Sequence, residues 1–242
     1  MNSETETVFY FCPHQDDELL SMGIDISYSV LQNKNVHIVL CTDGSKSSVR
    51  DKLNDGKNCT IHKELHNYNI SEKEFIKARD VEFVLSCKML GVSHENIHIC
   101  NNRSVDGSLS IKQAQNIIKE YIFKYGNKDA TVCTFSPYSK KVQHIDHYNL
   151  GKAVKNLIED KFIHKVKFIL EPYCVPKGLK KFFLVPFKLK KKKASSEITE
   201  KILKAFKEYS YWNPSEGRYA IGYHSVMKDF NNYKENMSVY YY

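Results

Sequence analysis

The sequence lacks several features that mark common classes of protein. No apolar run approaches the roughly 20 residues needed to span a bilayer, so we expect no transmembrane segment. The segment Met1–Glu6 is polar and acidic, without the basic and apolar regions of a signal peptide, which favours a cytoplasmic location. Neither G-x-G-x-x-G nor G-x-x-x-x-G-K-S/T occurs, so the usual phosphate-binding loops are absent from the sequence.

Cysteine is present, but its spacing supports no cysteine-based site. The seven cysteines are an odd number, and no two of them form a C-x-x-C pair. The sequence therefore offers no support for a cysteine zinc site or for thioredoxin-like chemistry. Cys12, Cys41 and Cys133 fall inside hydrophobic, strand-like runs, where a thiol behaves as a small hydrophobic side chain. We expect the cysteines to be reduced.

The chain is basic, with a formal net charge of +8. A lysine-rich run, Lys180–Lys193, could attract phosphates, nucleic acid or anionic lipid. However, no groove of interleaved basic and aromatic residues and no nucleic-acid motif accompanies it. A solvated edge strand and loop, on which lysines discourage sheet aggregation, is the favoured interpretation. We therefore expect no nucleic-acid partner.

Hydrophobic periodicity predicts alternating strands and helices. The predicted strands are Val8–Cys12, Val36–Cys41, Ile97–Cys100, Thr131–Phe135 and Val166–Leu170, and the predicted helices are Leu19–Gln32, Glu74–Leu90, Ile111–Lys124 and Tyr148–Ile158. A further helix should begin at Ser195-Ser196-Glu197. This alternation predicts an α/β fold with a mostly parallel sheet and helices on both faces, a Rossmann-like three-layer α/β/α arrangement. The polar connection from Thr42 to Ser71 is long enough to suggest a functional loop.

Acidic and imidazole side chains gather where the first predicted strand ends. The run His14-Gln15-Asp16-Asp17-Glu18 follows Val8–Cys12 almost directly and precedes a helix-like segment. Open α/β sheets build their sites at such strand-to-helix junctions. Taken alone, the acids fit equally well in a first helical turn, where the helix dipole favours them.

A second cluster occupies an equivalent junction. The run His144-Ile145-Asp146-His147 follows the predicted strand Thr131–Phe135 and precedes a helix. A spacing of three residues puts both histidines on one helical face, about 5–6 Å apart at Cβ. Because the carboxyl ends of parallel strands share one edge of a sheet, the two distant clusters should converge.

Converging clusters would supply a set of metal ligands. His14, His147 and one of Asp16 or Asp17 would give three N/O ligands with an open fourth position, which is typical of a catalytic zinc. Spacing alone leaves the choice of aspartate open. Asp16 lies on the side of His14 in an extended chain, whereas Asp17 does so once the chain turns helical.

These motifs resemble those of the PIG-L/LmbE family of metal-dependent N-deacetylases. The family's first motif usually reads H-P-D-D-E, and its second has two histidines at the spacing of His144 and His147. Further agreement lies at Thr42-Asp43-Gly44, at Ala78-Arg79-Asp80 and at Leu90-Gly91-Val92. The resemblance covers most of residues 1–175, which implies an LmbE-like catalytic core there. Residues 176–242 would form a C-terminal extension packed on the same single domain.

The resemblance implies a zinc-dependent hydrolase that removes an acetyl group from an N-acetylglucosamine-type amino sugar or its conjugate. It assigns His14, Asp17 and His147 as metal ligands, and Asp16 as the general base for a zinc-bound water. By the same resemblance, His144 supports the oxyanion or protonates the leaving amine. Other divalent metals accept the same ligands, so the resemblance leaves the native metal open.

Several nearby residues have two readings each. Asp146 either orients one of the histidines or caps a helix, and Glu18 either supports the metal site or favours the helix start. Asp106 resembles an acidic residue that relatives present to sugar hydroxyls, although Asp-Gly is also a common turn. Arg50 could hold a phosphate or a sugar hydroxyl, or lie exposed to solvent.

One departure from the family concerns the oxyanion. Some members carry a tyrosine two residues before the first downstream histidine, where this chain has Val142. His224 could fold back over the pocket and take the place of that tyrosine, or it could be a surface histidine of the C-terminal segment.

Two alternatives to the deacetylase hypothesis stay open. A hydrolase of the same fold could act on another amide, and a Rossmann-like module could bind a nucleotide or anion without hydrolysis. A pure binding module would not need an acid such as Asp16 beside a metal site. The sequence identifies neither the sugar conjugate nor the oligomeric state, and a homo-oligomer is possible.

Overall fold

A computed structural model of the protein describes residues 5–126, 129–138, 144–171 and 188–242. Val142 and the part of the basic run before Lys188 lie outside these residues. The strands are β1 (Thr7–Cys12), β2 (Asn35–Thr42), β3 (Lys57–Asn58), β4 (Leu65–His66), β5 (Ile97–Ser104), β6 (Thr131–Phe135), β7 (Lys165–Leu170), β8 (Lys190–Lys193), β9 (Trp212–Asn213), β10 (Arg218–Tyr219) and β11 (Ser238–Tyr241).

The helices lie between these strands and begin at good capping residues where the sequence supplies them. They are α1 (Asp17–Leu20), α2 (Gly23–Leu31), α3 (Val49–Asn54), α4 (Glu72–Met89), α5 (Ile111–Tyr125), α6 (Ile145–Glu159), α7 (Ser196–Ser210) and α8 (Ile221–Asn236). Ser71 and Ser110 form capping boxes with Glu74 and Gln113 at the starts of α4 and α5. Ser195 caps α7, as its sequence predicts.

Within the described residues, seven strands form the central sheet in the order β5-β2-β1-β6-β7-β11-β8. The five strands from β5 to β7 in this order are parallel, and β11 runs antiparallel to both of its neighbours. This confirms the predicted mostly parallel sheet. The chain places β2 and β5 on one side of β1, and β6 and β7 on the other. Such a reversal of strand order opens a crevice at the carboxyl ends of β1 and β6.

Both faces of the sheet are covered, because side chains alternate along each buried strand. In β1, Val8, Tyr10 and Cys12 join a buried cluster with residues of α2, α4, α7 and α8. Phe9 and Phe11 point the other way, into a cluster with α5 and α6. The predicted three-layer arrangement therefore follows from a strand that is apolar on both faces.

Helices α7 and α8 complete the helical layer that covers Val8, Tyr10 and Cys12. The Tyr209 hydroxyl donates to Glu18 at 2.7 Å, and the amides of Ile221 and Gly222 donate to the buried Glu82 carboxylate. Burial raises the pKa of Glu82 to about 7, against the effect of these two hydrogen bonds. Strand β8, at the edge of the sheet, is the lysine-rich strand that the sequence favours.

Two local features differ from the sequence prediction. The helix predicted over Leu19–Gln32 is two helices, α1 and α2, because the chain turns at Ser21 and Met22, whose amides both bond to the carbonyl of Asp17. The polar connection from Thr42 to Ser71 contains helix α3 and the hairpin of β3 and β4. Among the described residues, no helix combines the length and the apolar character that crossing a bilayer requires.

Gly151 marks a close approach that should make it sensitive to substitution. A Cβ at this position of α6 would lie 2.5 Å from the Phe135 carbonyl oxygen and 2.9 Å from the Pro137 nitrogen. Since backbone atoms cannot move aside, we expect Gly151→Ala to cost about 1–3 kcal/mol of unfolding free energy. That loss should appear although alanine is favoured by about 1 kcal/mol in a helix.

Gly23→Ala is the matched control, measured by the same urea unfolding. Its Cβ would meet the Ile202 Cδ1 atom at 2.9 Å, at the end of a flexible side chain that can shift, and its nearest backbone atom would be the Glu18 carbonyl oxygen at 3.3 Å, farther than the backbone atoms that face Gly151. A smaller loss than for Gly151→Ala is expected. Equal losses in the two variants would contradict this account of the packing of α6 against β6.

Candidate metal centre and active site

The two predicted clusters meet at the crevice between β1 and β6. The turn after β1, the start of α6 and the residues after β5 and β7 surround a cavity of about 980 Å³. Among the residues that line it are His14, Asp16, Asp17, Asp106, His144, His147 and Glu171. The predicted convergence of distant segments at one sheet edge is therefore present in the structure.

A tight turn after β1 separates the roles of the two aspartates. The backbone of Asp16 is left-handed, with φ of 104°, a conformation that costs free energy in a residue with a side chain. The amide of Asp16 donates to Glu18 at 3.0 Å, which helps to hold this conformation. The turn brings the Asp17 carboxylate back to accept from the His14 amide at 2.9 Å. Asp17 therefore faces the histidines, and Asp16 does not.

Three ligand atoms converge on one point. Nδ1 of His14 lies 3.0 Å from Nε2 of His147, and Oδ2 of Asp17 lies 3.4 Å and 3.1 Å from these two nitrogens. Ligands at about 2.0–2.1 Å from a tetrahedral zinc are separated by roughly 3.3–3.4 Å from one another. The observed triangle is only slightly smaller. His14, Asp17 and His147 could hold one metal ion.

The outer partners of the two histidines direct their lone pairs toward this point. Nε2 of His14 faces an Asp146 carboxylate oxygen at 3.1 Å, and Nδ1 of His147 faces Glu171 at short range. In the neutral rings these nitrogens carry the protons, so the inner nitrogens carry lone pairs. Two lone pairs and the Asp17 carboxylate then face one another, an arrangement that a cation stabilises.

The electrostatics also favour positive charge here. Burial alone would lower the pKa of His147, but the charge of Asp17 and hydrogen bonds to Asp17 and Glu171 raise it to about 9. Burial acts against the charged form of Asp17 as well, yet the two histidines hold its pKa well below the usual range. A divalent ion would satisfy the same excess of negative charge without the protons.

Asp16 sits beside the ligands with a different environment. Burial raises its pKa to about 7, and the positive charge of Arg79 opposes this rise. Arg79 lies 3.5 Å from the Asp16 carboxylate and donates to the carbonyls of Gln15 and Gly44. Arg79 therefore holds together the turn that presents Asp16 to the cavity. A carboxyl group with such a pKa is suited to accept a proton near neutral pH.

His144 lies on the more exposed side of the same group. Its Nδ1 accepts from the Asp146 amide at 3.3 Å, which makes it the N-cap of α6 and leaves the proton on Nε2. That nitrogen lies 3.9 Å from Asp106, and the ring packs edge-on against His14. Burial, with the nearby His14 and His147, lowers the pKa of His144.

Asp146 is buried and connects the ligands to the loop after β5. Besides facing His14, its carboxylate accepts from the amides of Gly107 and Leu109, at 2.7 and 2.9 Å. Asp106 also reaches His14, at 3.2 Å from its Nε2. Of the two readings that the sequence left for Asp146, the geometry favours a carboxylate that orients His14.

Two of the predicted substrate contacts lie elsewhere. Arg50 pairs with Glu72 at 2.9 Å, and it does not line the cavity. His224 also points away from the cavity, since its Nε2 lies 3.4 Å from the Cys59 sulfur. Of the two possibilities for His224, the one in which it folds over the pocket and takes the place of the tyrosine is therefore corrected. The turn at the start of α8 directs this ring toward the loop that contains Cys59, while Ser225 and Val226 line the cavity instead.

Glu171 and Lys191 line the cavity, but neither was predicted from the sequence to lie there. Glu171 directly follows the predicted strand Val166–Leu170, so the rule that located the other junctions could have found it. Lys191 lies on β8, which reaches the cavity through the pairing of β8 with β11 and of β11 with β7. No pattern in the sequence predicts this pairing.

Residues 9–158 match the family described as GlcNAc-PI de-N-acetylase, PIG-L. No curated protein gives a significant sequence match. This chain is similar in structure to a zinc-inhibited form of teicoplanin deacetylase, with 12% identity, a TM-score of 0.62 and 97% of each chain covered. It is also similar to a deacetylase of an antimicrobial pseudoaglycone, with 14% identity, a TM-score of 0.65 and coverage of 99% of this chain and 96% of that one.

A third similar structure is an N,N'-diacetylchitobiose deacetylase from Pyrococcus horikoshii, in complex with an inhibitor. It shares 18% identity and a TM-score of 0.57, with 95% of this chain and 77% of that chain covered. At sequence identities this low, the structural similarity to these three proteins shows a shared fold and nothing more.

Metal content should depend on the convergent ligands and on the carboxylate behind one of them. We expect His147→Ala to lose about one equivalent of metal per chain, because it removes one of three ligands. Glu171→Gln should weaken binding about 10–100-fold, because the ring loses the carboxylate that orients it. Mass spectrometry of metals after dialysis measures both effects. Arg50→Ala is the control, and an equal loss of metal in that variant would contradict this assignment.

Proposed function

Because this chain belongs to the PIG-L family of GlcNAc-PI de-N-acetylases, we propose that it is a metal-dependent N-deacetylase. Its substrate would be an N-acetylglucosamine-type amino sugar or a conjugate of one. The observation that carries the proposal is the triangle of His14, Asp17 and His147 with Asp16 beside it in one cavity. Similar solved structures named as deacetylases support the same reaction class.

The reaction consumes one water and one amide. The water oxygen forms a bond to the acetyl carbon, and the carbon–nitrogen bond then breaks. The products are acetate and a free amine on the sugar. One proton must leave the water, and the departing nitrogen must gain one.

The residues divide this work by position. His14, Asp17 and His147 would hold a divalent ion, which supplies Lewis acidity by making water more acidic near neutral pH and by polarising a carbonyl. Asp16 faces the cavity with a pKa raised to about 7 by burial, so it accepts the proton of the attacking water. His144 presents Nε2–H at the cavity and donates to the developing oxyanion or to the departing amine.

The supporting residues keep this geometry fixed. Glu171 and Asp146 hold the outer nitrogens of His147 and His14, and Arg79 holds the turn that presents Asp16. Fixed ligands keep a site in its reactive geometry without reorganisation during the reaction.

The cavity is larger than an acetyl group requires. Its volume of about 980 Å³ is at the upper end of the range for small-molecule sites, so it accepts a sugar with an attached group. Asp106 lies at the ligands, where it can accept hydrogen bonds from sugar hydroxyls. Lys46 and Lys191 also line the cavity and would attract a negatively charged conjugate.

The deciding experiment measures acetate release from a panel of N-acetylglucosamine compounds, with and without a phosphate-bearing group. Purified protein is tested as prepared, after chelation, and after zinc or another divalent metal is restored. We expect acetate release to disappear on chelation and to return with metal. Metal binding without acetate release from any compound would favour hydrolysis of another amide. Anion binding without metal would favour the binding-module alternative.

Asp16→Asn tests the division of labour within the site. The variant should release acetate about 10²–10⁴-fold more slowly, because the general base is lost. It should keep its metal, because the Asp16 carboxylate faces Arg79 and not the ligand triangle. Asp51→Asn, an exposed change of the same chemistry on α3, is the control. Loss of metal in Asp16→Asn, to the extent seen in His147→Ala, would overturn the assigned role.

A further inference from the structure

A second group of metal-ligating side chains lies outside the active site. The hairpin of β3 and β4 carries Cys59, His62 and His66, at the spacing C-x-x-H-x-x-x-H. Helix α8 contributes His224 from a distant part of the chain. One ligand atom from each of the four residues lies within 4.8 Å of those of the others.

The distances fit a tetrahedral ion. The Cys59 sulfur lies 3.4 Å from Nε2 of His224 and 3.8 Å from Nδ1 of His62. A sulfur at about 2.3 Å and a nitrogen at about 2.0–2.1 Å from a tetrahedral zinc are roughly 3.5–3.6 Å apart. The two observed distances lie on either side of this value.

Neighbouring groups also orient the atoms that would bind the metal. Nδ1 of His224 donates to the Ala220 carbonyl at 2.8 Å, so Nε2 carries a lone pair toward the sulfur. The amide of Ile61 donates to the Cys59 sulfur at 3.3 Å, which helps to fix the position of the sulfur. His66 is only 3% exposed, and its buried Nε2 has no hydrogen-bond partner in the described part of the chain. Such an orphaned nitrogen needs a ligand.

Trp212 fixes two of the rings in place. Its indole stacks on His62 with centroids 4.0 Å apart and on His66 at 4.9 Å. The indole N–H donates to Glu64 of the same hairpin at 3.0 Å. The rings are therefore held between the hairpin and β9 in the arrangement that the ligand distances require.

The hairpin has little else to order it. Between Asp55 and Asn69, His66 is the only buried residue. Fixing a backbone costs conformational entropy at every residue, and apolar burial usually offsets that cost. Here the polar ligand cluster occupies the place of a hydrophobic core, as in small domains that fold on binding zinc.

We propose that Cys59, His62, His66 and His224 bind a second metal ion, zinc by its ligand chemistry, which fastens the β3–β4 hairpin to helix α8. One thiolate and three imidazoles suit zinc, and four ligands from the protein close the site, which is typical of a structural zinc. The absence of a C-x-x-C pair concealed this site in the sequence, because three of its four ligands are histidines.

The position of the ion gives it a role near the active site. Ser225 and Val226 follow His224 directly and line the cavity, and the Ser225 hydroxyl lies 3.4 Å from that of Ser47. Ser47 belongs to the same long connection as the hairpin and also lines the cavity. Fastening the connection to α8 therefore fixes one wall of the cavity.

Cobalt substitution tests the second site independently of the proposed function. Cobalt bound by a thiolate gives a sulfur-to-metal charge-transfer band in the near ultraviolet, and the ligands His14, Asp17 and His147 include no sulfur. We expect the apo protein to bind about two equivalents of cobalt, with the band present. Cys59→Ser should lose the band and about one equivalent, whereas His147→Ala should lose about one equivalent and keep the band.

Two further variants complete the test: one is a control for the loss of any buried thiol, and the other removes a second ligand. Cys100→Ser removes another buried thiol and should leave band and stoichiometry unchanged. His224→Ala removes a ligand from α8 and should weaken the second equivalent at least about tenfold, which gives a test if Cys59→Ser does not fold. Absence of the band from the cobalt-loaded wild-type protein, or its persistence in Cys59→Ser, would overturn the proposal. Loss of acetate release with the band intact would count against the proposed function alone.

Discussion

The convergence of three ligand atoms between β1 and β6 is the constraint on which the rest of the site depends. Two imidazole nitrogens and the Asp17 carboxylate oxygen lie 3.0–3.4 Å from one another, and such an arrangement needs positive charge among them, from a metal ion or from protons on the rings. Asp146 and Glu171 hold the outer nitrogens of His14 and His147, respectively. The left-handed backbone of Asp16 directs the Asp17 carboxylate toward them. That strained conformation persists, despite its cost in free energy, because the surrounding contacts leave the turn no alternative.

The same turn explains why two adjacent aspartates differ in their chemistry. Asp17 is directed at the histidines, which hold its pKa low, whereas Asp16 is directed at Arg79 in a buried position that raises its pKa. One residue is thereby kept ionised as a ligand and its neighbour is able to gain and lose a proton. Pairs of titratable groups whose environments separate their pKa values are typical of acid–base sites.

The parts of this molecule that were predicted correctly rest on local patterns. Strands such as Thr131–Phe135 and the junctions after them follow from short apolar runs, and parallel strands necessarily bring His14 and His147 to one edge. The choice between Asp16 and Asp17 depended on one backbone angle, which spacing does not specify. The break between α1 and α2 likewise depended on packing, because the run Leu19–Gln32 is apolar enough for one helix.

Long-range placement was the part that the sequence did not specify. From the sequence, His224 could fold over the cavity or lie on the surface of the C-terminal segment, yet the ring turns to Cys59, 165 residues earlier in the chain. No local periodicity carries that information, since the hairpin between Asp55 and Asn69 buries one side chain only. A segment without an apolar pattern predicts a mobile loop by composition. Polar ligands can order such a segment all the same, because metal coordination stabilises a fold without apolar surface. The long connection and the catalytic cavity are thus linked through residues that look unremarkable in sequence, and the shape of the cavity wall depends on a cluster distant from the proposed chemistry.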